Sequence, residues 1–237
     1  QSLSSAASDV YKRQMRYWGM VLVGILGVAI LLSLSAWQIK RTLWKNALLA
    51  NIENKISAPA RVIPQNPLEK FNSLMPVKAV GQYFGRTIKV LVSQKIYGAG
   101  FRLITAFQMQ DGRKIMVDRG FVSVRSVMPS MPNAVGEVIG NLHWPSEIDS
   151  FTPENDLEAN IWFARDVKTM AAYLSTEPVL LILKSSNFEQ ENTKPLPVNT
   201  ASIPNNHLQY AVTWFLMSLI WLGMSGYFVY RSRKIKI

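Results

Sequence analysis

The sequence contains no cysteine. That excludes disulfides, thiolate metal sites and cysteine nucleophiles together. It leaves the redox compartment open, because a cysteine-free domain works in oxidising and reducing surroundings alike. Histidine is nearly as scarce: 237 residues include only His143 and His207. A Ser-His-Asp triad would have to use one of these two, and no serine sits in a nucleophile-elbow context. Nothing pairs a serine with a lysine either. Phosphate-binding loops are missing: "YGAGF" has Gly98 and Gly100 but not the longer spacing or the Lys-Ser/Thr that hold a nucleotide, and it reads as a mobile loop. The carboxylates of "PSEIDSFTPENDLEAN" (Glu147, Asp149, Glu154, Asp156, Glu158) lack EF-hand spacing and its turn glycine, and read as a solvated loop. His143, in "NLHWP", reads as a strand-end turn residue or a satisfied polar group. These absences point away from an enzyme. Internal repeats and an alternating βαβ pattern are also missing, which argues against a doubly wound fold.

Charge is sparse as well. Charged residues make up 17% of the chain against 49% hydrophobic, a balance between that of a soluble domain and a multi-span membrane protein. The formal net charge of +11 does not require nucleic acid. Lys and Arg clusters beside a membrane give the same sum by binding anionic lipid head groups.

Two uncharged runs are present. "YWGMVLVGILGVAILLSLSAW" covers residues 17–37 and "YAVTWFLMSLIWLGMSGYFVY" covers 210–230. Each has about twenty residues, enough to cross the ~30 Å hydrocarbon core as a helix. The first is too long for a cleaved signal peptide and leads into "QIKRTLWK", so it reads as an uncleaved anchor. Tyr210, Trp214, Tyr227 and Tyr230 cluster toward the ends of the second, as aromatic belts do. "RSRKIKI" follows it and should stay in the cytoplasm. Two spans put both termini on one side, which leaves the intervening domain outside. Lys40, Arg41 and Lys45 cut against this orientation, although a long domain crosses regardless of its charge. Ala29 with Ser33, and Gly223 with Gly226, are candidate helix-packing residues.

The stretch before Met15, "QSLSSAASDVYKRQ", has no hydrophobic periodicity and reads as a non-native leader. The expected layout is a leader over 1–14, a first span over 15–38, a domain over 39–206, a second span over 207–231 and a basic tail over 232–237.

Within the domain, "QIKRTLWKNALLANIENKI" holds good helix formers without proline or glycine, so the first span should continue as a helix. Ile39, Leu43, Ala47 and Ala50 give it one apolar face, and "SAPARVIPQNP" ends it. Then the period changes. "PVKAVGQYF", "TIKVLVSQ", "FRLITAFQM", "VGEVIGNLHW" and "PVLLILK" read as strands. Asp111-Gly112 supplies the positive φ angles of a two-residue hairpin. "RDVKTMAAYL" reads as a short helix capped by Asp166, and residues 185–206 as a long loop. The fold class expected is membrane-anchored α+β: two transmembrane helices flanking a mainly antiparallel β domain, barrel- or sandwich-like.

Two places invite a ligand. In "VDRGF", Arg119 could hold a carboxylate of the protein or a ligand's propionate; a structural salt bridge is the plainer alternative. In "NNHLQYAVTWF", His207, Tyr210, Ala211 and Trp214 share one helical face at the membrane interface. Neutral imidazole is a common metal and haem ligand; an interfacial residue beside the Tyr and Trp belt is the alternative.

"SAWQIKRTLWKNALLANIENK", "MPVKAVGQYF", "DGRKIMVDRGFV", "FTPEN" with "IWFARDVKTMA", and "NNHLQYAVTWF" occur in that order. Together, with a span at each end, they resemble the SURF1 family over nearly all of Met15 to Lys234. The resemblance implies a non-enzymatic factor in the biogenesis of haem-copper cytochrome c oxidase, acting when haem a enters the catalytic subunit. It implies a bacterial inner-membrane protein with a periplasmic domain. Partners would be that subunit, possible partner haem a synthase and membrane lipid, with no nucleic acid. His207 matches the histidine of the family's "HLQY" motif, which makes it the candidate iron ligand. Trp37, Gln38 and Arg41 match the motif after the first span and are candidates for packing or propionate contact. Tyr210, Trp214 and Arg119 complete the candidate cofactor-binding set. No second axial ligand stands out. The alternative is a scaffold that stabilises an oxidase assembly intermediate without touching haem.

Overall fold

A computed structural model describes residues 2–188, 192–201 and 203–234. In chain order, the first elements are α1 (Ser2–Ser57), β1 (Arg61–Val62), α2 (Glu69–Asn72), β2 (Pro76–Gln94), β3 (Gly98–Met109) and β4 (Lys114–Ser123). They are followed by β5 (Gly136–Leu142), β6 (Ile161–Trp162), α3 (Val167–Leu174), β7 (Leu180–Ser186) and α4 (His207–Lys234). The chain divides into a helical unit, Gln1–Ala50 with Ala201–Ile237, and a β-rich unit, Asn51–Thr200. The end of the basic tail, residues 235–237, lies outside the described residues.

α1 is unbroken for 56 residues. No proline interrupts it until Pro59, one residue beyond Ala58, and there the helix stops. The regions Tyr17–Ser57 and His207–Arg233 are long and apolar enough to cross a bilayer. They run antiparallel. Arg233 Nη2 donates to the Tyr17 hydroxyl at 2.6 Å, Trp221 Nε1 to the Gly24 carbonyl at 3.2 Å, and Ser35 Oγ to the Ala211 carbonyl at 2.9 Å. Close approach occurs at Gly24, where an added Cβ would lie 3.0 Å from that of Ser225, and at Gly27, where it would overlap the Trp221 indole. The small residues expected to pack are not the ones that do. Ala29 and Ser33 are exposed, and nothing lies within 4 Å of a Cβ on Gly223 or Gly226. Beyond the apolar run, Ile39 and Leu43 of the expected apolar face are exposed too.

The β-rich unit is one curled sheet of seven strands in the order β1-β2-β3-β4-β7-β5, with β6 also on β2. It is mixed yet mainly antiparallel, as expected, while the expected barrel or sandwich is corrected to a single open sheet. Most pairings are antiparallel, but β1 and β6 run parallel to β2, and β7 runs parallel to β4. The reason is the position of β7: it inserts between β4 and β5 and pairs antiparallel with β5. The sheet curls until the start of β2 reaches β5, but it is not a closed barrel. β2 pairs with β5 over Pro76–Gly81 and with β3 from Gly81 onward, so its two neighbours share only Gly81.

"PVKAVGQYF" and "TIKVLVSQ" form a single strand of 19 residues rather than two. A bulge between Phe84 and Thr87, with Gly85 at φ +68°, bends it. Before the bulge, Val77, Ala79 and Tyr83 enter one core with Phe107, Val117 and Leu181. After it, Ile88 and Val90 enter a second core on the opposite face with Met116, Trp162 and Met170. α3 covers this second core through Val167, Met170, Ala171 and Leu174, and Asp166 caps it by accepting from the Lys168 amide at 3.1 Å. The β3–β4 hairpin stands where Asp-Gly places it, with a different turn. Only Gly112 takes a positive φ, +87°, and its amide donates to the Met109 carbonyl at 3.0 Å, leaving the glycine as a bulge after the turn. "YGAGF" is no loop: Gly98 and Gly100 begin β3.

A buried charge cluster joins these parts. The Asp118 side chain has no exposure; it accepts from Arg102 Nε at 2.7 Å and from the Gly120 amide at 3.1 Å, with Arg165 Nη1 at 3.5 Å. Arg165 also pairs with Glu147, whose carboxylate accepts the Arg165 amide at 3.0 Å. Arg102 Nη2 reaches the Leu196 carbonyl at 3.2 Å. Burial works against the Arg165 cation, but Glu147 and Asp118 outweigh it and raise its pKa. Burial likewise works against the Glu147 anion, and Arg165 outweighs that and lowers its pKa. Glu147 is therefore an ion-pair member on an exposed loop. His143 sits beside the cluster. Burial first, then the Arg165 charge, lowers its pKa against the opposing pull of Glu147. Its Nδ1 is buried and has no partner among the described residues, so it is not the satisfied polar group expected.

Removing Asp118 leaves two partly buried cations facing each other. Asp118→Ala should cost about 3–5 kcal/mol in chemical denaturation of the detergent-purified protein; a loss below ~1 kcal/mol would show the cluster to be dispensable. Gly120 has φ +111°, and a Cβ there would strike the Lys194 carbonyl and Pro195. Gly120→Ala should therefore lose more than the ~1–3 kcal/mol of backbone strain alone. The folded His143 binds protons less readily than the unfolded chain, so stability should be complete above the unfolded value of about 6.5 and decline as pH falls below it. Glu147 adds a separate loss only at more acid pH, below about 4.3. Denaturation midpoints for wild type and His143→Gln should diverge between these two values; superimposed curves would remove His143 from the account.

Candidate functional site

α4 starts at His207, directly after the non-helical "IPNN", with the Tyr210 amide donating to the Asn206 carbonyl at 3.2 Å. Lys45 Nζ bonds the Pro204 carbonyl, and Asn205 Nδ2 donates to Asn46 Oδ1 at 2.6 Å, so the entry to α4 is fastened to α1. About two turns earlier on α1, Gln38 Oε1 lies 2.9 Å from His207 Nδ1. With the amide oxygen facing the ring as acceptor, a neutral imidazole donates from Nδ1 in this arrangement and keeps its Nε2 lone pair for a ligand. Below that, Ala211 is buried against Ser35.

The face that α4 turns to α1 thus contains His207, Ala211, Trp214 and Ser218, the half-buried or buried positions. Tyr210 was expected on that face. It stands on the flank instead, 54% exposed, because three residues rotate the helix by less than a full turn. Trp37 is also outward-facing. The Arg41 guanidinium is exposed and lies 4.0 Å above the Trp44 ring. His207, Gln38 and Trp214 therefore line the helix pair, with Trp37, Arg41 and Tyr210 around its outer surface. Among the described residues, no group of three or more His, Asp or Glu could hold a metal.

Arg119 belongs to the β-rich unit. It is 1% exposed, on the opposite sheet face from Asp118, with its guanidinium 5.4 Å from the Tyr83 ring and Nη2 donating to the Ser130 carbonyl at 3.2 Å. Its Nε has no partner among the described residues. Burial lowers its pKa, opposed by Tyr83. The salt bridge expected of Arg119 is not formed among the described residues; in "VDRGF" it is Asp118 that pairs, with Arg102 and Arg165.

Two features were missed at the sequence level. Arg102 carries no motif and Arg165, within "IWFARDVKTMA", was assigned no role; only the β3–β4 register with the turn before α3 brings them to Asp118. The contact between Gln38 and His207 joins positions 169 apart; the antiparallel order of the two apolar runs was its only available signal.

The model of the SURF1 family matches residues 25–219. A SURF1-like protein of Monosiga brevicollis is 31% identical, covering 98% of this chain and 93% of that protein. Surfeit locus protein 1 of Homo sapiens is 30% identical, over 85% and 73% respectively. A SURF1-like protein of Rickettsia felis is 28% identical, over 91% and 98%. With the match running from within the first candidate membrane helix, through the sheet, into the second, the chain belongs to the SURF1 family.

Proposed function

We propose that this chain is a membrane-anchored assembly factor for haem-copper cytochrome c oxidase, which presents or stabilises haem a as it enters the catalytic subunit. In this reading it sits in a bacterial inner membrane, with the basic C-terminal residues that begin at Arg231 in the cytoplasm and the β-rich unit in the periplasm. One observation supports it above others: His207 is oriented by Gln38 with Nε2 left over. A hydrogen bond to the second ring nitrogen is how proteins fix and tune a ligating imidazole. Haem a joins an isoprenoid tail that belongs in lipid to propionates that belong in water, so the head of a helix pair suits it. Trp214, Trp37 and Tyr210 offer apolar surface to a macrocycle, and Arg41 offers a propionate a cation. A single protein ligand at His207 would also favour release, which a carrier needs. Bound haem supplies the metal centre that the oxidase requires. The part of this chain is to hold it, orient it and let it go. Arg119, nearly inaccessible, is left out of the ligand set.

The test is the visible spectrum of detergent-purified protein co-expressed with haem a synthesis. The wild type should show a haem a spectrum and His207→Ala should lose it. Gln38→Leu should bind about 10–100-fold more weakly. Equal haem in wild type and His207→Ala would overturn His207 as ligand. No haem in any variant, with normal folding, would leave the scaffold that stabilises an assembly intermediate.

A further inference from the structure

One end of the β-rich unit carries an unusual surface. The turn between β2 and β3 exposes Ile96 at 86%, and the loop after β4 exposes Val127 at 80%. These segments are neighbours because β3 and β4 pair there: Gly100 opposes Ser123, and the Val124 amide donates to the Ala99 carbonyl at 3.4 Å. Tyr97 and Val124, in the same two segments, are exposed as well. The position of the patch is built. The Tyr97 ring stacks on buried Phe121 at 5.5 Å, and the buried Arg119 holds the far end of the loop through the Ser130 carbonyl.

The charge around the patch has one sign. Lys95 precedes Ile96, Arg125 follows Val124, and both are exposed. Lys194 Nζ lies 4.3 Å from the centre of the Tyr97 ring. Neither segment, 94–101 nor 121–136, contains an aspartate or glutamate. Single exposed aliphatic residues are ordinary; adjoining ones in a cationic frame are not. Aliphatic tips among lysine and arginine match an anionic lipid surface, where the tips enter the headgroup boundary and the cations meet phosphates. The unit is joined at both ends to candidate membrane spans, which keeps such a surface at high effective concentration.

We infer that the turn containing Ile96 and the loop containing Val127 form a second membrane contact, dipping into an anionic lipid surface that Lys95, Arg125 and Lys194 select. The inference uses the candidate spans and does not depend on the haem reading. Its occupant is lipid, not protein.

The chain has no cysteine, so a single introduced one carries a unique label. Full-length Val127→Cys and Ile96→Cys would each bear an environment-sensitive fluorophore in nanodiscs of phosphatidylcholine with or without phosphatidylglycerol. The exposed site Glu158→Cys serves as control. Both patch labels should shift to the blue and be quenched by lipids brominated high on the acyl chain, more strongly with phosphatidylglycerol. Lys95→Glu and Arg125→Glu should each lower the inserted fraction about fivefold. Quenching no greater than at Glu158→Cys, or equal in neutral and anionic lipid, would overturn the inference. So would patch labels that respond only when a purified oxidase catalytic subunit is added, which would assign the surface to a protein.

Discussion

The β-rich unit depends on a carboxylate removed from water. Asp118 has no exposed surface, so its charge must be balanced within the fold. Its partners come from different places: Arg102 from the neighbouring strand, Arg165 from the turn before α3, and the Gly120 amide from its own strand. Through Arg165 the cluster reaches Glu147, and through Arg102 it reaches Leu196 in the return to α4. β3, β4, the turn before α3 and the segments of Glu147 and Leu196 thus have one electrostatic reason to be where they are, beside any core they share. Such a cluster specifies an arrangement more than it adds net stability, because desolvation consumes most of the Coulomb gain.

The helical unit solves a different problem. In hydrocarbon there is no hydrophobic drive to pair two apolar helices, so small residues and polar bonds must do it. Gly24 and Gly27 allow close approach, while Ser35, Trp221 and Gln38 supply donors or acceptors across the pair. The same register that seats Ser35 under Ala211 places Gln38 beside His207 one turn away. Packing and the candidate ligand therefore follow from one alignment.

Local features were legible in the sequence wherever short-range chemistry decides them. The Asp111-Gly112 hairpin, the Asp166 cap and the helix end before Pro59 all stand where their residues call for them. The hairpin's turn type was not, since Asp-Gly serves more than one turn and the strand twist selects among them. Long-range choices were hidden. Hydrophobic alternation reads the same in parallel and antiparallel strands, so β7 beside β4 left no mark on composition. Gly85 looked like a break between strands because a bulge and a turn use the same residue. At the candidate site, His207 was visible as one of two histidines, yet Gln38 as its partner required knowing how the spans align.

The shared strand β2 has a consequence for synthesis. Emerging from the ribosome, β2, β3 and β4 can pair at once, but β4 then presents a free hydrogen-bonding edge. The strand that covers it, β7, arrives only after β5, β6 and α3 have been made. Since β2 serves both cores, neither core is complete before then. The nascent unit therefore carries an open edge through much of its translation, the state in which β proteins are most exposed to mispairing.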